Sequence, residues 1–173
     1  MYFSGFSLKN ECSIFDQYLI KNDFAVSGFS FGAQKAVEYA LTATSRIDTL
    51  QLFSPAYFND KDSKYKRMQL MYFNKNSQVY CDNFLNNCEI SQENKKKYFC
   101  MGTAYELKTL LNYNWSEYSL NLINNKNINI EVYLGNEDKI INTKEALNFF
   151  KNFADVYYVK NVGHTLTKLL TTL

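Results

Sequence analysis

Gly28-Phe29-Ser30-Phe31-Gly32 follows the apolar run Phe24-Ala25-Val26 and opens a helical pattern from Ala33 to Thr44. A GxSxG pentapeptide between a strand and a helix has a mechanical meaning, because the turn is sharp enough to push the serine hydroxyl out beyond the strand's end. The flanking glycines let strand and helix backbones approach closely and leave room for a strained turn residue. Ser30 is therefore the candidate nucleophile.

Upstream of the pentapeptide, residues 1 to 4 predict a very short strand that ends in the turn Ser4-Gly5-Phe6-Ser7. Asn10 is a suitable N-cap for a helix to about Ile20, with Ile14, Phe15, Tyr18 and Leu19 at helical spacing. The strand Phe24 to Ser27 leads into the Ser30 turn. Beyond it, Ala36, Val37, Ala40 and Leu41 make a helical stripe, and a strand from Ile47 to Phe53 stops at Ser54-Pro55. Strands and helices alternating with short connections imply a parallel sheet with right-handed crossovers.

The rhythm then breaks. Residues of about 56 to 118 are rich in Lys, Asn and Tyr, with candidate helices at Lys64 to Phe73, Gln92 to Met101 and Tyr105 to Tyr113 and no good strand. It resumes with the strand Ile128 to Leu134, the turn Gly135-Asn136-Glu137-Asp138, a helix Thr143 to Phe153, the strand Val156 to Val159 and a last helix after Gly163-His164. A helical segment set into a parallel sheet is expected to lie as a lid over the carboxyl edge, where open α/β sheets bind ligands. The whole is expected to form one domain.

Composition removes several classes of function. Hydrophobic residues make up 46% and charged residues 21%, the balance of a globular core-forming chain. A net charge of +2 is too small to draw nucleic acid or a membrane surface by bulk attraction. Cys12, Cys81, Cys88 and Cys100 form no CxxC and no His/Cys cluster, so neither a metal nor another cofactor is expected. No basic segment with a long apolar core opens the sequence, and no apolar run reaches membrane-spanning length. A reducing cytoplasm is the expected compartment.

A serine hydroxyl needs a base, and the base needs an orienting partner. The single histidine, His164, sits in a turn beyond the final strand, on the same sheet edge as Ser30. Asp138 follows the preceding strand at that edge and is the candidate acid; Glu137 is its neighbour and rival, and Asp155 is less suited because it begins a strand. The chain order Ser, Asp, His is that of the nucleophile-elbow hydrolases. Two backbone N–H groups are also required for the tetrahedral oxyanion. Phe31, next after the nucleophile, supplies one, and Phe6 in the first turn is the candidate for the other.

With these residues in place, Ser4-Gly5-Phe6-Ser7-Leu8 resembles the His-Gly-aromatic-Gly-Leu oxyanion turn of the α/β-hydrolases, with serines at the histidine and second glycine positions. Gly28 to Ala36, Gln51-Leu52-Phe53-Ser54-Pro55-Ala56 and Glu106-Leu107-Lys108-Thr109-Leu110-Leu111 are similar, more narrowly, to the short pimeloyl-(acyl-carrier protein) methyl ester esterases of the BioV type. The resemblance implies an α/β fold of the α/β-hydrolase kind, trimmed to about five parallel strands flanked by helices. Only one crossover helix fits between Phe6 and Ser30, so the oxyanion strand is expected directly beside the nucleophile strand.

The resemblance also implies a serine carboxylesterase of biotin biosynthesis that releases methanol and pimeloyl-carrier protein. Ser30, Asp138 and His164 are its triad, and Phe6 and Phe31 its amide donors. The partner is an acidic carrier protein, which Lys61, Lys64, Lys66, Arg67, Lys95, Lys96 and Lys97 of the insertion would attract. An acyl thioesterase or a general short-chain esterase would share every one of the catalytic residues. An acyl-binding protein on a hydrolase scaffold is the non-enzymatic alternative.

Overall fold

A computed structural model of the chain describes residues 1–167. Its centre is one sheet of five strands in sequence order, all parallel. These are β1 (Tyr2–Phe3), β2 (Ala25–Phe29), β3 (Thr49–Phe53), β4 (Asn129–Gly135) and β5 (Asp155–Val159). β1 pairs with β2 through Tyr2 with Ser27 and Phe3 with Gly28, so the first turn lies next to the Ser30 turn as the short spacing predicts. The architecture is an α/β-hydrolase fold.

Alternation along the strands gives the sheet two different faces. Val26, Leu50, Leu52, Ile130, Val132 and Leu134 point to one side, and helices cover them. These are α1 (Phe31–Thr42), α6 (Glu117–Asn125) and α7 (Thr143–Phe150), which contribute Ala33, Ala36, Val37, Ala40, Leu120, Ile123, Ala146 and Phe150 to the same core. Phe29, Phe53 and Tyr133 point to the other side, where Phe15, Val162 and Leu166 meet them.

That second cover departs from expectation. In place of a helix from Asn10 to Ile20 there is a short 3-10 segment, Glu11–Phe15, followed by turns. Asn10 has φ 61°, a left-handed conformation, and makes no side-chain cap. The reason the helix stops is in the sheet: Gln51 Oε1 accepts from the Ile20 N–H at 2.8 Å, and Gln51 Nε2 donates to the Tyr18 carbonyl at 2.9 Å. The sheet side chain thus takes backbone groups that further helix would have satisfied internally.

Between β3 and α6 the chain forms α2 (Ser63–Lys75), α3 (Ser77–Asn87), α4 (Gln92–Tyr98) and α5 (Ala104–Asn112). Four of the boundaries have ordinary caps, with Asp62, Asn76, Ser91 and Thr103 accepting from the first-turn amides, and Thr103 with Glu106 completes a capping box. α3 and α6 are additions to the three helices expected here. Where a last helix is expected directly after Gly163-His164, residues 165–167 are turn, bend and irregular chain, and residues 168–173 lie outside the described residues.

Candidate active site

Every strand's carboxyl end opens on the same edge of a parallel sheet, which brings together turns distant in sequence. Ser30 lies between β2 and α1 with φ 53° and ψ −110°. A non-glycine residue there costs about 1–3 kcal/mol and has to be held by its surroundings. Three backbone bonds hold it: Ser30 N–H donates to the Phe53 carbonyl at 2.9 Å, and the Ser30 carbonyl accepts from Ala33 at 3.1 Å and Ala56 at 3.2 Å. Within the pentapeptide only Ser30 has a positive φ; neither of its glycines does. Gly28 and Gly32 serve close approach instead. A Cβ on Gly28 would sit 2.2 Å from the Gly32 carbonyl oxygen, and one on Gly32 would sit 2.0 Å from that of Phe3.

The structure brings Ser30, His164 and Asp138 into one hydrogen-bonded line. His164 Nε2 is 3.0 Å from Ser30 Oγ, and His164 Nδ1 is 2.6 Å from Asp138 Oδ2. The other carboxylate oxygen, Oδ1, accepts from the Ile140 N–H at 2.7 Å and the Ile141 N–H at 3.2 Å. Both oxygens are therefore committed, and the carboxylate is the acceptor that places the imidazole proton on Nδ1 and leaves Nε2 free to accept from the serine. The imidazole is fully buried and packs on Phe29 with ring centroids 5.1 Å apart. Of the rival acids, Glu137 is exposed and engages the His164 loop through its backbone alone, by N–H to the Val162 carbonyl, and Asp155 is exposed at the start of β5.

Phe31 follows Ser30 at the start of α1, and Phe6 lies in the turn after β1, which the β1–β2 pairing sets next to the Ser30 turn. Neither amide has a protein acceptor among the described residues. The Gly5 carbonyl accepts from the Leu8 N–H at 3.3 Å. In a trans peptide C=O and N–H point in opposite directions, so this bond turns the Phe6 N–H to the other side of the turn. Ser7, at the position of the second glycine of the oxyanion-turn pattern, has φ 59° and is buried. Its hydroxyl bonds Cys81 Sγ at 3.2 Å and accepts from the Gly102 N–H at 3.2 Å. Lys9 N–H to the Tyr98 carbonyl at 2.8 Å and Cys100 N–H to the Ser7 carbonyl at 3.1 Å clip the same turn to the chain at the end of α4.

The insertion also reaches the loops that carry Asp138 and His164. Glu89 pairs with Lys139 at 2.8 Å, which raises the lysine's pKa, and its other carboxylate oxygen covers Gly163. Lys139 follows Asp138 and Gly163 precedes His164, so one glutamate touches both loops. Gln34 of α1 ties the insertion to the body by donating to the Ala56 and Leu110 carbonyls, each at 3.0 Å.

Between α2, α3 and α5 lies a cleft of about 570 Å³. Its floor is apolar, with Phe58, Phe84, Leu107, Leu110, Leu111 and Ile140, and its margin carries Lys75 and Lys139 together with Asn and Gln amides. Its wall comes near the site at Phe84, which packs edge-on against Phe6 at 5.6 Å, and at Ile140, which donates to Asp138. Ser30 itself does not line it and is 1% exposed.

None of the seven cations expected to dock a partner lines the cleft. Lys61 pairs with Asp60 at 2.7 Å, and Lys95 bonds the Asp82 carbonyl and the Asn86 side chain. Lys97 lies over the Tyr98 ring at 4.9 Å, and its hydrogen bond, together with that of Ser13, lowers the Tyr98 pKa. Lys64 and Arg67 are exposed on α2, Lys66 is half-buried there, and Lys96 is exposed on α4. Among the described residues no group of three acidic, histidine or cysteine side chains could hold a metal ion, and no helix is long and apolar enough to cross a membrane.

Sequence reasoning missed Glu11, Ser7, Cys81, Glu89 and Lys139. Ser7 carried a signal, its place in the turn pattern, and Lys139 is next to Asp138 in the chain; Glu11, Cys81 and Glu89 reach the site through tertiary packing.

No protein-family model and no curated protein matches the chain. Solved structures do. E-2-(acetamidomethylene)succinate hydrolase superposes with a TM-score of 0.60 at 9% identity, covering 94% of this chain and 83% of its own. A carboxylesterase of the thaumarchaeon Nitrososphaera gargenis gives 0.59 at 12% identity, with 82% and 58% covered. Naproxen esterase (carboxylesterase NP) from Bacillus subtilis gives 0.53 at 19% identity, with 88% and 57% covered. The chain thus spans somewhat over half the length of these two esterases. At such identities the likeness is one of fold.

Proposed function

We propose that the protein is a serine carboxylesterase whose nucleophile is Ser30, and that it removes the methyl group from the methyl ester of pimeloyl-(acyl-carrier protein). The observation that carries the hydrolase reading is the line from Asp138 through His164 to Ser30, with both Asp138 oxygens engaged and the serine in a strained turn. In the reaction Ser30 Oγ attacks the ester carbonyl while His164 Nε2 takes its proton. The oxyanion forms against the N–H groups of Phe6 and Phe31, each worth roughly 3 kcal/mol of transition-state stabilisation. His164 then protonates the departing methoxide, and water, activated by the same imidazole, hydrolyses the acyl-enzyme.

The cleft supports the acyl part of the proposal. An apolar floor under a rim of amides and lysines suits a chain with a polar end, and its volume falls in the range of small-molecule sites. Because Ser30 is buried and does not line the cleft, turnover requires the cleft wall, to which Phe84 belongs through its packing on Phe6, to open towards the serine. The helical insertion then acts as a lid. The carrier protein would meet Lys61, Lys64, Lys66, Arg67, Lys95, Lys96 and Lys97, and that encounter would weaken with salt. The carboxylesterase chemistry named for two of the neighbours belongs to the same proposal.

Mass spectrometry of pimeloyl-carrier protein methyl ester after incubation tests it. Loss of the methyl group with the acyl chain still attached is the expected result. Release of free carrier thiol would make the enzyme a thioesterase, and an unchanged conjugate would remove this substrate.

A further inference from the structure

Glu11 is the one acidic side chain among the described residues that is wholly buried within the body yet takes no part in the Ser30, His164 and Asp138 line. It lies six residues after Gly5, and its Oε1 accepts from the Gly5 N–H at 2.7 Å and from the Tyr2 hydroxyl at 3.0 Å. Burial, and next the Glu11 charge, raise the Tyr2 pKa, so the hydroxyl stays protonated and remains a donor to that oxygen. The second oxygen, Oε2, is buried with no hydrogen-bond partner among the described residues. An apolar side chain would fill the space without that cost, but it would leave the Gly5 N–H buried and unpaired. The acid is placed for what Oε1 does.

What Oε1 does is fix one side of the first turn. Gly5 is the residue whose carbonyl, held by the Leu8 N–H, sets the plane of the Gly5–Phe6 peptide. With the Gly5 N–H anchored on one side and its carbonyl on the other, both of that residue's backbone torsions are pinned. The Phe6 N–H, in the same peptide plane, inherits its direction from them. The contacts of Ser7 with Cys81 and Gly102 hold the turn from its far end and do not engage Gly5.

We propose that Glu11 is the positioning residue of the oxyanion turn, holding the Phe6 N–H in register with the tetrahedral oxyanion through its hydrogen bond to Gly5. The inference rests on the serine-hydrolase reading. It requires no change in substrate binding, because Glu11 lies under the turn and does not line the cleft. Its loss therefore lowers transition-state stabilisation while leaving ground-state affinity intact.

The test compares Glu11→Gln, Glu11→Asp and Glu11→Ala with the parent enzyme on p-nitrophenyl butyrate. Inhibition by a trifluoromethyl ketone, whose adduct carries an oxyanion, is the second readout, and near-UV circular dichroism checks folding. Glutamine keeps the Oε1 acceptor and should retain kcat within about threefold. Aspartate is one methylene too short to reach Gly5, and alanine has no acceptor. Both should lose about 10- to 100-fold in kcat with KM nearly unchanged, and ketone affinity should fall in the same ratio. If alanine fails to fold, the contrast between glutamine and aspartate carries the result. Folded aspartate and alanine variants with parental kcat and ketone affinity would overturn the inference, as would a loss confined to KM or a glutamine variant as impaired as aspartate. A parent enzyme that hydrolyses no ester and takes no fluorophosphonate on Ser30 would overturn the hydrolase reading and this inference with it. That failure appears before any variant is made.

Discussion

Asp138→Asn changes one atom and should remove most of the activity. The two backbone amides that donate to Oδ1, Ile140 and Ile141, dictate how the new side chain sits. If the asparagine carbonyl turned towards His164, its NH2 would face two N–H donors and forfeit two hydrogen bonds, about 1 kcal/mol each plus the cost of the unpaired groups. The carbonyl therefore stays on the amides and the NH2 takes the place of Oδ2, 2.6 Å from Nδ1. Two donors cannot share that contact, so the imidazole moves its proton to Nε2. There it faces Ser30 Oγ across 3.0 Å as a donor and can no longer accept the serine proton. The same substitution in the well-studied serine protease triad lowers kcat about 10⁴-fold, equivalent to about 5.5 kcal/mol, and a loss of that order is expected here. Steady-state hydrolysis of an activated ester gives kcat, and nitrogen NMR of the single histidine reports the tautomer directly. A folded variant within tenfold of parental kcat, or one whose imidazole keeps its proton on Nδ1, would refute the reasoning.

Gly32→Ala places a Cβ 2.0 Å from the Phe3 carbonyl oxygen, a backbone atom that cannot step aside, so thermal unfolding should show a loss above about 4 kcal/mol or no folded protein. Gly163→Ala meets only the flexible end of Glu89, 2.1 Å away, and should cost about 1 kcal/mol or less as that side chain swings off and weakens its pair with Lys139. Val79 lines the cleft but is 51% exposed, so Val79→Trp narrows the cleft without disturbing the core. Turnover of long-chain p-nitrophenyl esters should fall while that of the acetate is preserved; equal loss on both would detach the cleft from the acyl chain.

The residues that act through local geometry were legible in the sequence. A serine between two glycines, after an apolar run and before a helical stripe, admits few arrangements, and the single histidine and the aspartate beyond the fourth strand had to share its sheet edge once the strands were parallel. The short spacing from Phe6 to Ser30 was also enough to set β1 beside β2. Tertiary competition was not legible. The apolar spacing of Ile14, Phe15, Tyr18 and Leu19 suits a helix, but Gln51 on the sheet takes the backbone groups of Tyr18 and Ile20. In α3 the apolar Val79, Tyr80, Cys81, Phe84 and Leu85 are interrupted by polar residues and only Cys81 and Leu85 are fully buried, and in α6 Leu120, Leu122 and Ile123 stand among asparagines, so neither gave a strong period. The lysine runs announced charge but not position: the cations at the cleft are Lys75 and Lys139, isolated in sequence.

The account stands on Ser30 being an activated nucleophile. Reaction with a fluorophosphonate, followed by intact-mass measurement and peptide mapping, tests that claim most directly. One adduct per chain, mapped to the peptide containing Ser30 and absent from Ser30→Ala and His164→Ala, is the predicted result. A folded protein that takes no adduct, or takes it at another residue, would contradict it.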